Sequence, residues 1–381
     1  MSLPELTDAH LRFRDQVRDF AQKVIAPQAA QLEASGTFPR ELIREMGARG
    51  WLGISFPKEY GGLGLDCRSY ILALEEIAKV CASTAITIAA HCSLACYPIF
   101  AHGSEHQKKK FLPPLLRGEK LGSFGLTEPN AGSDAGATQT TVQAEGDKWI
   151  INGQKRFITN SSFADVVVFT ASHDRALKTK AISAFLVERG TPGFRVGRHE
   201  DKLGLRASDT AELWFEGCAL PRENLLGPER EGFKVFMETL DGGRISIGAL
   251  GLGIAAGALE HTTEYVRTHE RNGMPMHRLQ WVQELIAEAA TEITCARHLI
   301  YHAAALKDQG ARITLPSAMA KLYASEIGTR TCRRLMDIIG PAGLSALHPL
   351  QRFLRDAKLM EIGEGTSQIQ KVVIAREVLG K

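Results

Sequence analysis

The apolar residues in the first third of the chain recur at helical spacing. In the opening segment this spacing predicts an amphipathic helix that carries Leu11, Phe13, Val17, Phe20, Ala21 and Val24. Residues 71–96 have the same texture and are rich in small side chains, which suits close packing of helices. Glycines at positions 61, 62 and 64 interrupt the pattern. We therefore predict an N-terminal helical domain over residues 1–121.

Between residues 122 and 228 the period changes to short, β-like apolar runs. Four runs predict strands, at residues 149–151, 166–169, 182–187 and 213–215. The dipeptide Asn152-Gly153 is typical of a tight hairpin turn, and residues 190–193 predict another turn because they contain Gly190, Pro192 and Gly193. This part of the chain is predicted to be a middle β domain.

From residue 229 the helical period returns. A long apolar stripe follows one helix face through Leu279, Val282, Leu285, Ile286, Ala289, Ile293, Ala296 and Ile300. Residues 317–339, behind Pro316, predict another helix. Ser367-x-x-Gln370 has the form of a capping box and predicts the start of the last helix. Several long helices with short connections predict a C-terminal bundle over residues 229–381.

Composition excludes several classes of protein. The 381 residues are 44% hydrophobic and 23% charged, which is typical of a globular protein and not of a disordered chain. The net charge of +3 opposes a nucleic-acid-binding face, which needs concentrated basic charge. No run approaches about 18 uninterrupted apolar residues, so we expect no membrane span.

The seven cysteines are scattered and odd in number, which predicts reduced thiols in a cytosol-like compartment. Cys92 and Cys96 lie four positions apart, on one helical face, and are expected to be small core residues. No HExxH or CxxC motif indicates a metal site. The chain begins without a basic segment followed by an apolar run, so we expect a cytoplasmic protein.

Two glycine-containing strings differ in what they predict. Gly251-x-Gly253-x-x-Ala256 imitates a dinucleotide fingerprint but lies inside a helical run, where the glycines more simply permit close helix packing. Residues 125–136 stand at the junction of the helical and β regions. Their glycines allow close approach to the backbone, and Thr127 and Ser133 add hydroxyl groups. The residues of this second string are suited to binding the edge of a ring or a phosphate group.

A pair of carboxylates precedes the last predicted helix. Glu361 and Glu364 are three positions apart, and Glu364 stands between two glycines. Burial of either carboxyl would raise its pKa toward the strength of a useful base. A solvated acid ahead of a helix would have the same local sequence, so the spacing alone leaves both interpretations open.

Strings along nearly the whole chain resemble the acyl-CoA dehydrogenase family. Residues 125–137 resemble its first signature, and residues 337–358 with 364–370 resemble its second signature and catalytic loop. Further similar strings stand at residues 103–113, 202–210, 223–227, 240–244 and 355–358. Residues 81–84 and 182–186 place the short-chain and branched-chain branch nearest.

The resemblance implies an α+β multidomain fold, with an N-terminal helical domain, a middle β-barrel-like domain and a C-terminal four-helix bundle. It implies FAD between the β domain and the bundle, completed by a neighbouring subunit of a homotetramer or homodimer. It also implies that Glu364 removes the α-proton of an acyl thioester while the β-hydrogen leaves as hydride to flavin N5. An electron-transfer flavoprotein is the electron acceptor commonly used by the family, while some relatives use oxygen.

Carried over residue by residue, the resemblance assigns the other site residues. The flavin would contact Phe124, Leu126, Thr127, Gly132, Ser133, Phe157, Thr159, Thr366 and Gln368, and the neighbouring subunit would add His269, Gln280, Asp337 and Gly340. The substrate side would hold Ser133, Asp241, Arg244 and Gly365. The backbone N–H of Glu364 would bind the thioester oxygen, in the manner of an oxyanion hole.

The sequence departs from the family pattern at two groups of positions. In the half-site lent by the neighbouring subunit, His269 replaces an arginine, Asp337 replaces a glutamine and Pro341 replaces a glycine. These changes predict weaker or rearranged binding of the adenosine end of FAD, with Arg271 as a substitute cation. Beside the base, Gly363 replaces a tyrosine, which would leave space for a branched acyl group; Phe157 replaces a tryptophan.

Three alternatives stay open at the level of the sequence. The acyl or aminoacyl group could be held on a carrier protein, to which a pI of about 8.4 is suited. The chain could be a non-catalytic assembly subunit with an altered FAD site. It could also keep the flavin and perform non-redox chemistry, because a fold does not fix a reaction.

Overall fold

The computed structural model describes residues 6–380, and its N-terminal part is helical. The helices are α1 (Asp8–Phe20), α2 (Ala26–Ser35), α3 (Arg40–Ala48), α4 (Cys67–Ala78), α5 (Ala82–Ala89), α6 (Tyr97–His102) and α7 (Glu105–Leu116). Helices α1 and α7 begin with capping boxes centred on Thr7 and Ser104. Each box satisfies two amide groups that the first helical turn leaves free, which fixes where the helix starts.

A π-helical segment, Ala90–Cys96, joins α5 to α6. Its residues are buried, and the ring Nδ1 of His91 accepts a hydrogen bond from the Gly122 N–H at 2.9 Å, which ties the segment to the sheet. Cys92 and Cys96 lie here as buried free thiols. Across residues 6–380, no group of three His, Cys, Asp or Glu side chains could hold a metal ion. Because π-helical segments are frequent at functional sites, the residues that contact Ala90–Cys96 are candidates for such a site.

The middle region is one mixed sheet. Its strands are β1 (Gly122–Gly125), β2 (Thr141–Glu145), β3 (Lys148–Thr159), β4 (Val166–Ser172), β5 (Ile182–Glu188), β6 (Phe194–His199), β7 (Thr210–Pro221) and β8 (Leu225–Leu226). The order is β6-β7-β3-β2-β4-β5-β8, with β1 parallel to β4. The sheet curls like a barrel, because Phe169 of β4 stacks on Phe215 of β7 at 4.4 Å although two strands separate them.

The predicted hairpin turn at Asn152-Gly153 is wrong. These residues lie inside β3, where the register against β7 shifts at a bulge. The side-chain oxygen of Asn152 accepts a hydrogen bond from the Gly217 N–H. Gly153 is required there because a Cβ would come within 2.6 Å of Thr140. The turn itself follows Glu145, where Gly146 adopts φ +55°.

The C-terminal region is a helical bundle. It contains α8 (Gly232–Thr268), the short hairpin β9 (Glu270–Arg271) and β10 (Met274–Pro275), α9 (Gln280–Asp308), α10 (Thr314–Ile339), α11 (Pro349–Met360) and α12 (Ser367–Leu379). Helix α8 packs against α4, α9, α10 and α11. Gly251 and Gly253 permit this contact, since a Cβ on either would crowd α10 or α4. The helical, sheet and helical order confirms the predicted fold class.

The capping residue of α12 differs by one position from the prediction. Thr366, not Ser367, is the N-cap, and its hydroxyl accepts a hydrogen bond from the Ile369 N–H at 3.2 Å. Gln370 does not complete a capping box. Its side-chain amide instead donates to the carbonyl oxygens of Glu364 and Gly365, in the loop before α12.

Two helical stretches are long and apolar enough, by length and composition, to cross a membrane. They are Ala82–His102 and Gly232–Thr268, which the expectation from uninterrupted apolar runs overlooked. In their most apolar windows, 83% and 94% of the residues are buried inside the fold. Their apolar surface is thus used in packing against other helices, as in the core of a globular protein.

Candidate active site

Glu364 lies in the short loop between α11 and α12, in an uncommon backbone conformation. Its φ is +54°, and Gly365 follows with φ +98°. The Gln370 side chain donates hydrogen bonds to the carbonyl oxygens of both residues, at 3.3 and 3.0 Å. A non-glycine residue in the left-handed region is strained unless its surroundings hold it, and such residues cluster at functional sites. The loop therefore aims the Glu364 side chain in one fixed direction.

The Glu364 carboxyl group points into the interior, against α8 and the π-helical segment. Its Oε2 atom is buried and has no hydrogen-bond partner among residues 6–380. A Cβ built on Gly243 of α8 would overlap this oxygen and would lie 3.0 Å from Leu94. Burial raises the pKa of Glu364 to about 7, while Lys321 and Arg244 oppose that rise. A buried carboxyl with a free oxygen and a near-neutral pKa can act as a general base.

Glu361, the other carboxylate of the pair, is in a different setting. It accepts a hydrogen bond from the Lys358 ammonium at 2.8 Å, at the end of α11. An i,i+3 ion pair of this kind is common at helix ends and contributes little to folding stability. Of the two carboxylates, the structure therefore favours Glu364 as the candidate base.

The glycine-rich string at residues 125–136 forms a loop between β1 and β2, and a buried ion pair lies under it. The Lys155 ammonium is 2.7 Å from Glu128 Oε1, and both side chains are almost fully buried. Glu128 also accepts the backbone N–H groups of Gln139 and Thr140. Burial acts to raise the pKa of Glu128, but the Lys155 charge and these hydrogen bonds leave it below its ordinary value.

The outer surface of this loop is open. A Cβ on Gly132 would meet no atom within 4 Å, and Ser133 is exposed. The Thr127 carbonyl accepts the Arg156 N–H at 2.8 Å, which brings the loop beside Phe157. That ring is 55% exposed on a backbone with φ +58°, an unusual exposure for a large aromatic group. Thr159, half-buried, ends the same strand.

Helix α8 connects the loop region with Glu364. Phe124 of β1 is buried and stacks on Phe236 of α8, with 4.2 Å between ring centroids. Gly243 lies seven residues further along, which is about 10 Å at 1.5 Å per residue. Leu126 packs on the same core from the strand side. The carboxyl group and the strand that leads into the open loop therefore contact the same helix.

Asp241 and Arg244, which the resemblance assigns to the substrate side, also lie on α8. They form an ion pair with each other, and Asp241 accepts the Thr314 hydroxyl at 2.7 Å. The Nε atom of Arg244 is buried with no hydrogen-bond partner in the described part of the chain. This donor is available to a ligand group that enters beside Glu364.

The residues that the resemblance assigns to the neighbouring subunit lie around the β9–β10 hairpin. The side chain of His269 does not reach outward as the assignment expects. His269 stacks on Tyr265 at 3.7 Å and donates from its ring to the Tyr265 carbonyl oxygen. Arg271 instead reaches the end of α10, where it donates to the Ile338 carbonyl oxygen at 3.0 Å and stands 3.4 Å from a Cβ built on Gly340. Asp337 and Gln280 are exposed nearby.

Three contributors to the site were not predicted from the sequence. They are Gly243, the Lys155–Glu128 pair, and Lys321, which donates to the Gly365 carbonyl oxygen at 2.6 Å. Each acts across more than 25 positions in the sequence, so local patterns do not show it. A sequence signal was available only for Lys321, whose charge stands in a mostly apolar stretch of α10, whereas Lys155 has the polar neighbours Gln154 and Arg156.

The helical, sheet and helical parts of the chain match, in this order, the three domain models of one class of oxidoreductases. The N-terminal domain of acyl-CoA dehydrogenases matches residues 7–119, the middle domain residues 123–218 and the C-terminal domain residues 230–379. The chain belongs to the acyl-CoA dehydrogenase family, oxidoreductases that act on the CH–CH bond of acyl-CoA. FAD is the cofactor.

The curated relatives that are most similar in sequence include short-chain acyl-CoA dehydrogenases. The chain is 48% identical over 376 residues to the probable acyl-CoA dehydrogenase YngJ of Bacillus subtilis, covering 98% of this chain and 99% of the relative. It is 46% identical over 365 residues to the short-chain specific acyl-CoA dehydrogenase of Clostridium acetobutylicum, covering 96% of each.

Solved structures give the same likeness. The butyryl-CoA dehydrogenase of Megasphaera elsdenii is 42% identical with a TM-score of 0.97, covering 100% of both chains. A chain in a structure of the electron transferring flavoprotein of Acidaminococcus fermentans is 46% identical, with a TM-score of 0.98 and full coverage of both. The prolyl acyl carrier protein oxidase AnaB is 32% identical with a TM-score of 0.95, covering 99% of this chain and 100% of that one.

The site fits FAD on its own features. The exposed Phe157 ring offers an apolar surface to a planar ligand. The loop around Gly132 leaves room for close approach to the backbone, and it carries the exposed Ser133 and the half-buried Thr127. Together with the free Oε2 of Glu364, these groups give the region both a platform and a reacting group.

Proposed function

We propose that this protein dehydrogenates a short or branched acyl-CoA thioester to the corresponding enoyl-CoA, with Glu364 as the base that removes the α-proton. The observation that carries the proposal is the buried, unpartnered Oε2 of Glu364, held by a strained loop against Gly243. The relatives' acyl-CoA activities support the reaction class.

In this mechanism the protein positions and deprotonates the substrate. The thioester carbonyl acidifies the α-hydrogen, and Oε2 of Glu364 takes that proton. The Glu364 N–H donates to the thioester oxygen and stabilises the negative charge that develops there. Asp241 and Arg244 hold the substrate further along α8. FAD, when bound, would supply the acceptor for the β-hydrogen, which would leave the substrate as a hydride.

The residues that would hold FAD fall into two groups. In the same chain, the flavin would lie along Phe124, Leu126, Thr127, Gly132, Ser133, Phe157 and Thr159, with Thr366 and Gln368 at its other side. A neighbouring subunit would contribute Gln280, Asp337, Gly340 and His269. Because Arg271 stands beside Gly340 while His269 faces its own helix, Arg271 is the better-placed cation for the pyrophosphate.

We predict that the rate constant kcat/KM rises with pH and levels off above about pH 7. A base accepts a proton only when it is ionised, and burial raises the pKa of Glu364 to about 7. On the acid side the rate should therefore fall about tenfold per pH unit. Initial rates with butyryl-CoA and an artificial electron acceptor, measured across neutral pH, check this. A profile that is flat through neutrality would contradict it.

We predict that Gly363→Tyr shifts the substrate preference from branched acyl groups toward butyryl-CoA. A Cβ at Gly363 meets only Leu359 at ordinary contact distance, 3.6 Å, so a side chain can be added without a clash. Its ring would fill space beside Glu364. The ratio of kcat/KM for butyryl-CoA and isobutyryl-CoA measures the shift. Gly363→Ala is the size control and should keep the original ratio; an unchanged ratio in the tyrosine variant would refute the assignment.

A carrier-bound acyl or aminoacyl group is a second candidate substrate. The fold similarity to the prolyl acyl carrier protein oxidase AnaB favours including it in the test. The test compares turnover of the free CoA ester with turnover of the same acyl group on a carrier protein. The product is identified by a mass lower by two hydrogens. Turnover of the CoA ester supports the proposal. Turnover of the carrier-bound ester alone would replace it with the second candidate.

We further propose an electron-transfer flavoprotein as the electron acceptor and a homotetramer or homodimer as the assembly. Leu203, Leu344 and Leu347 are exposed, as are Val378 and Leu379 near the end of α12, and burial of these apolar side chains in a subunit contact would stabilise an assembly. Sedimentation of the purified protein gives the assembly state. Reduction of added electron-transfer flavoprotein by the substrate-reduced enzyme tests the acceptor.

A further inference from the structure

Lys321 is a fully buried lysine on α10, directly behind the Glu364 loop. Its ammonium donates to the Gly365 carbonyl oxygen at 2.6 Å. Building on the proposed role of Glu364, we propose that Lys321 is a positioning residue for this base. It holds the carbonyl that follows Glu364 and places a positive charge behind the loop.

The hydrogen bonds around the loop explain the positioning role. The Gly365 carbonyl receives two donors, one from Lys321 on α10 and one from Gln370 on α12. These donors converge on the residue that follows a left-handed, non-glycine position. Left-handed conformations of this kind persist where the surroundings enforce them. Loss of the Lys321 donor leaves the carbonyl to Gln370 alone, and the direction of the Glu364 side chain becomes less well defined.

The buried charge explains why a lysine is present where a neutral donor would suffice for the hydrogen bond. Burial lowers the pKa of Lys321 to about 8, with Glu364 acting in the opposite direction, so the ammonium form predominates at pH 7. The charge of Lys321 in turn opposes the rise in the pKa of Glu364 that burial causes. Loss of this charge should therefore leave more of the base protonated at neutral pH.

Other charged and titratable groups face the same two side chains. The pKa of Glu364 is also affected by Arg244 of α8, whose charge is partly balanced by Asp241. The surroundings of Lys321 further contain Arg244, Glu361 and Glu326, and Tyr70 of α4 senses the charge of Glu364. Arg244 thus remains as a cation when Lys321 is replaced, and the expected effect is a shift in proton affinity and not its loss.

Two variants separate the hydrogen bond from the charge. Lys321→Gln keeps a donor but removes the charge, and Lys321→Met removes both. The pKa of Glu364 is read by infrared titration, from the protonated-carboxyl band that disappears in Glu364→Gln. We expect both variants to raise this pKa by about one unit, and the acid limb of the kcat/KM profile to move with it. Lys321→Met should lose an additional severalfold in kcat above that pKa.

Lys79→Met is the matched control, because Lys79 is also a buried lysine but pairs with Glu76 of α4, three positions before it, and with Glu260 of α8. It should lower stability and leave the Glu364 titration unchanged. A Glu364 titration and pH profile in Lys321→Gln equal to those of the wild type would overturn the inference. If Glu364→Gln were fully active, the proposed function would fail instead, while the infrared titration would still report the effect of Lys321.

Discussion

Glu364→Gln should lower the turnover of butyryl-CoA by about 100- to 10,000-fold, the usual contribution of a general base. Glutamine has nearly the same shape and fits against Gly243, but it cannot take the α-proton. The backbone N–H at this position is unchanged, so the affinity for the CoA ester should stay within a few-fold of wild type. Steady-state rates with an artificial acceptor, together with the FAD content from the visible spectrum, measure the effect.

Glu361→Gln is the matched control for this prediction. It changes a carboxylate three positions away, in the same loop, which is partly exposed and paired with Lys358. We expect near-wild-type turnover and FAD content. Equal losses in the two variants would mean that the loop as a whole tolerates no change, and retained activity in Glu364→Gln would remove Glu364 from the catalytic role.

Gly243→Ala should lower kcat by about 100-fold, the loss associated with a displacement of about 1 Å at a reacting group. The added methyl group would occupy the place of Glu364 Oε2, so the carboxyl group must move. Stability should change little, because the displaced atom is the end of a flexible side chain and alanine is favoured over glycine in a helix by about 1 kcal/mol. Rates and thermal unfolding of the FAD-bound enzyme measure both effects.

The adjacent glycine provides the control for Gly243→Ala. A methyl group on Gly242 would meet only the Lys307 ammonium, at 2.7 Å, which can turn aside. Gly242→Ala should therefore keep its activity and gain the same helix preference. A Gly243→Ala enzyme with wild-type kcat would show that the carboxyl position seen here is not the one used in the reaction.

The three-part fold could be predicted because hydrophobic periodicity is local. The stripe of α9 and the alternation in the strands each specify an element without reference to the rest of the chain. The errors arose where tertiary contacts overrule a local signal. Asn152-Gly153 has the composition of a hairpin turn, yet it lies in a bulge because its side-chain oxygen binds Gly217 and its glycine passes close to Thr140.

The candidate site was predictable only in part. The string around Glu364 indicated a projecting carboxyl group, because glycines flank it. Its depth, its free oxygen and its near-neutral pKa depend on α8 and α10, whose contacts with the loop span more than 40 positions. The same holds for Lys155 and Glu128, which pair beneath the loop across 27 positions of sequence. Sequence patterns therefore indicated the reacting group but not its supports.

Anaerobic titration of the purified, FAD-bound protein with butyryl-CoA, followed by the visible spectrum, tests whether Glu364 drives acyl-CoA dehydrogenation. We expect the yellow colour to bleach with the thioester in the wild type and to persist in Glu364→Gln. A yellow wild-type protein that does not bleach with butyryl-CoA or isobutyryl-CoA would contradict acyl-CoA dehydrogenation. A colourless protein that takes up no added FAD would favour a non-catalytic role in an assembly.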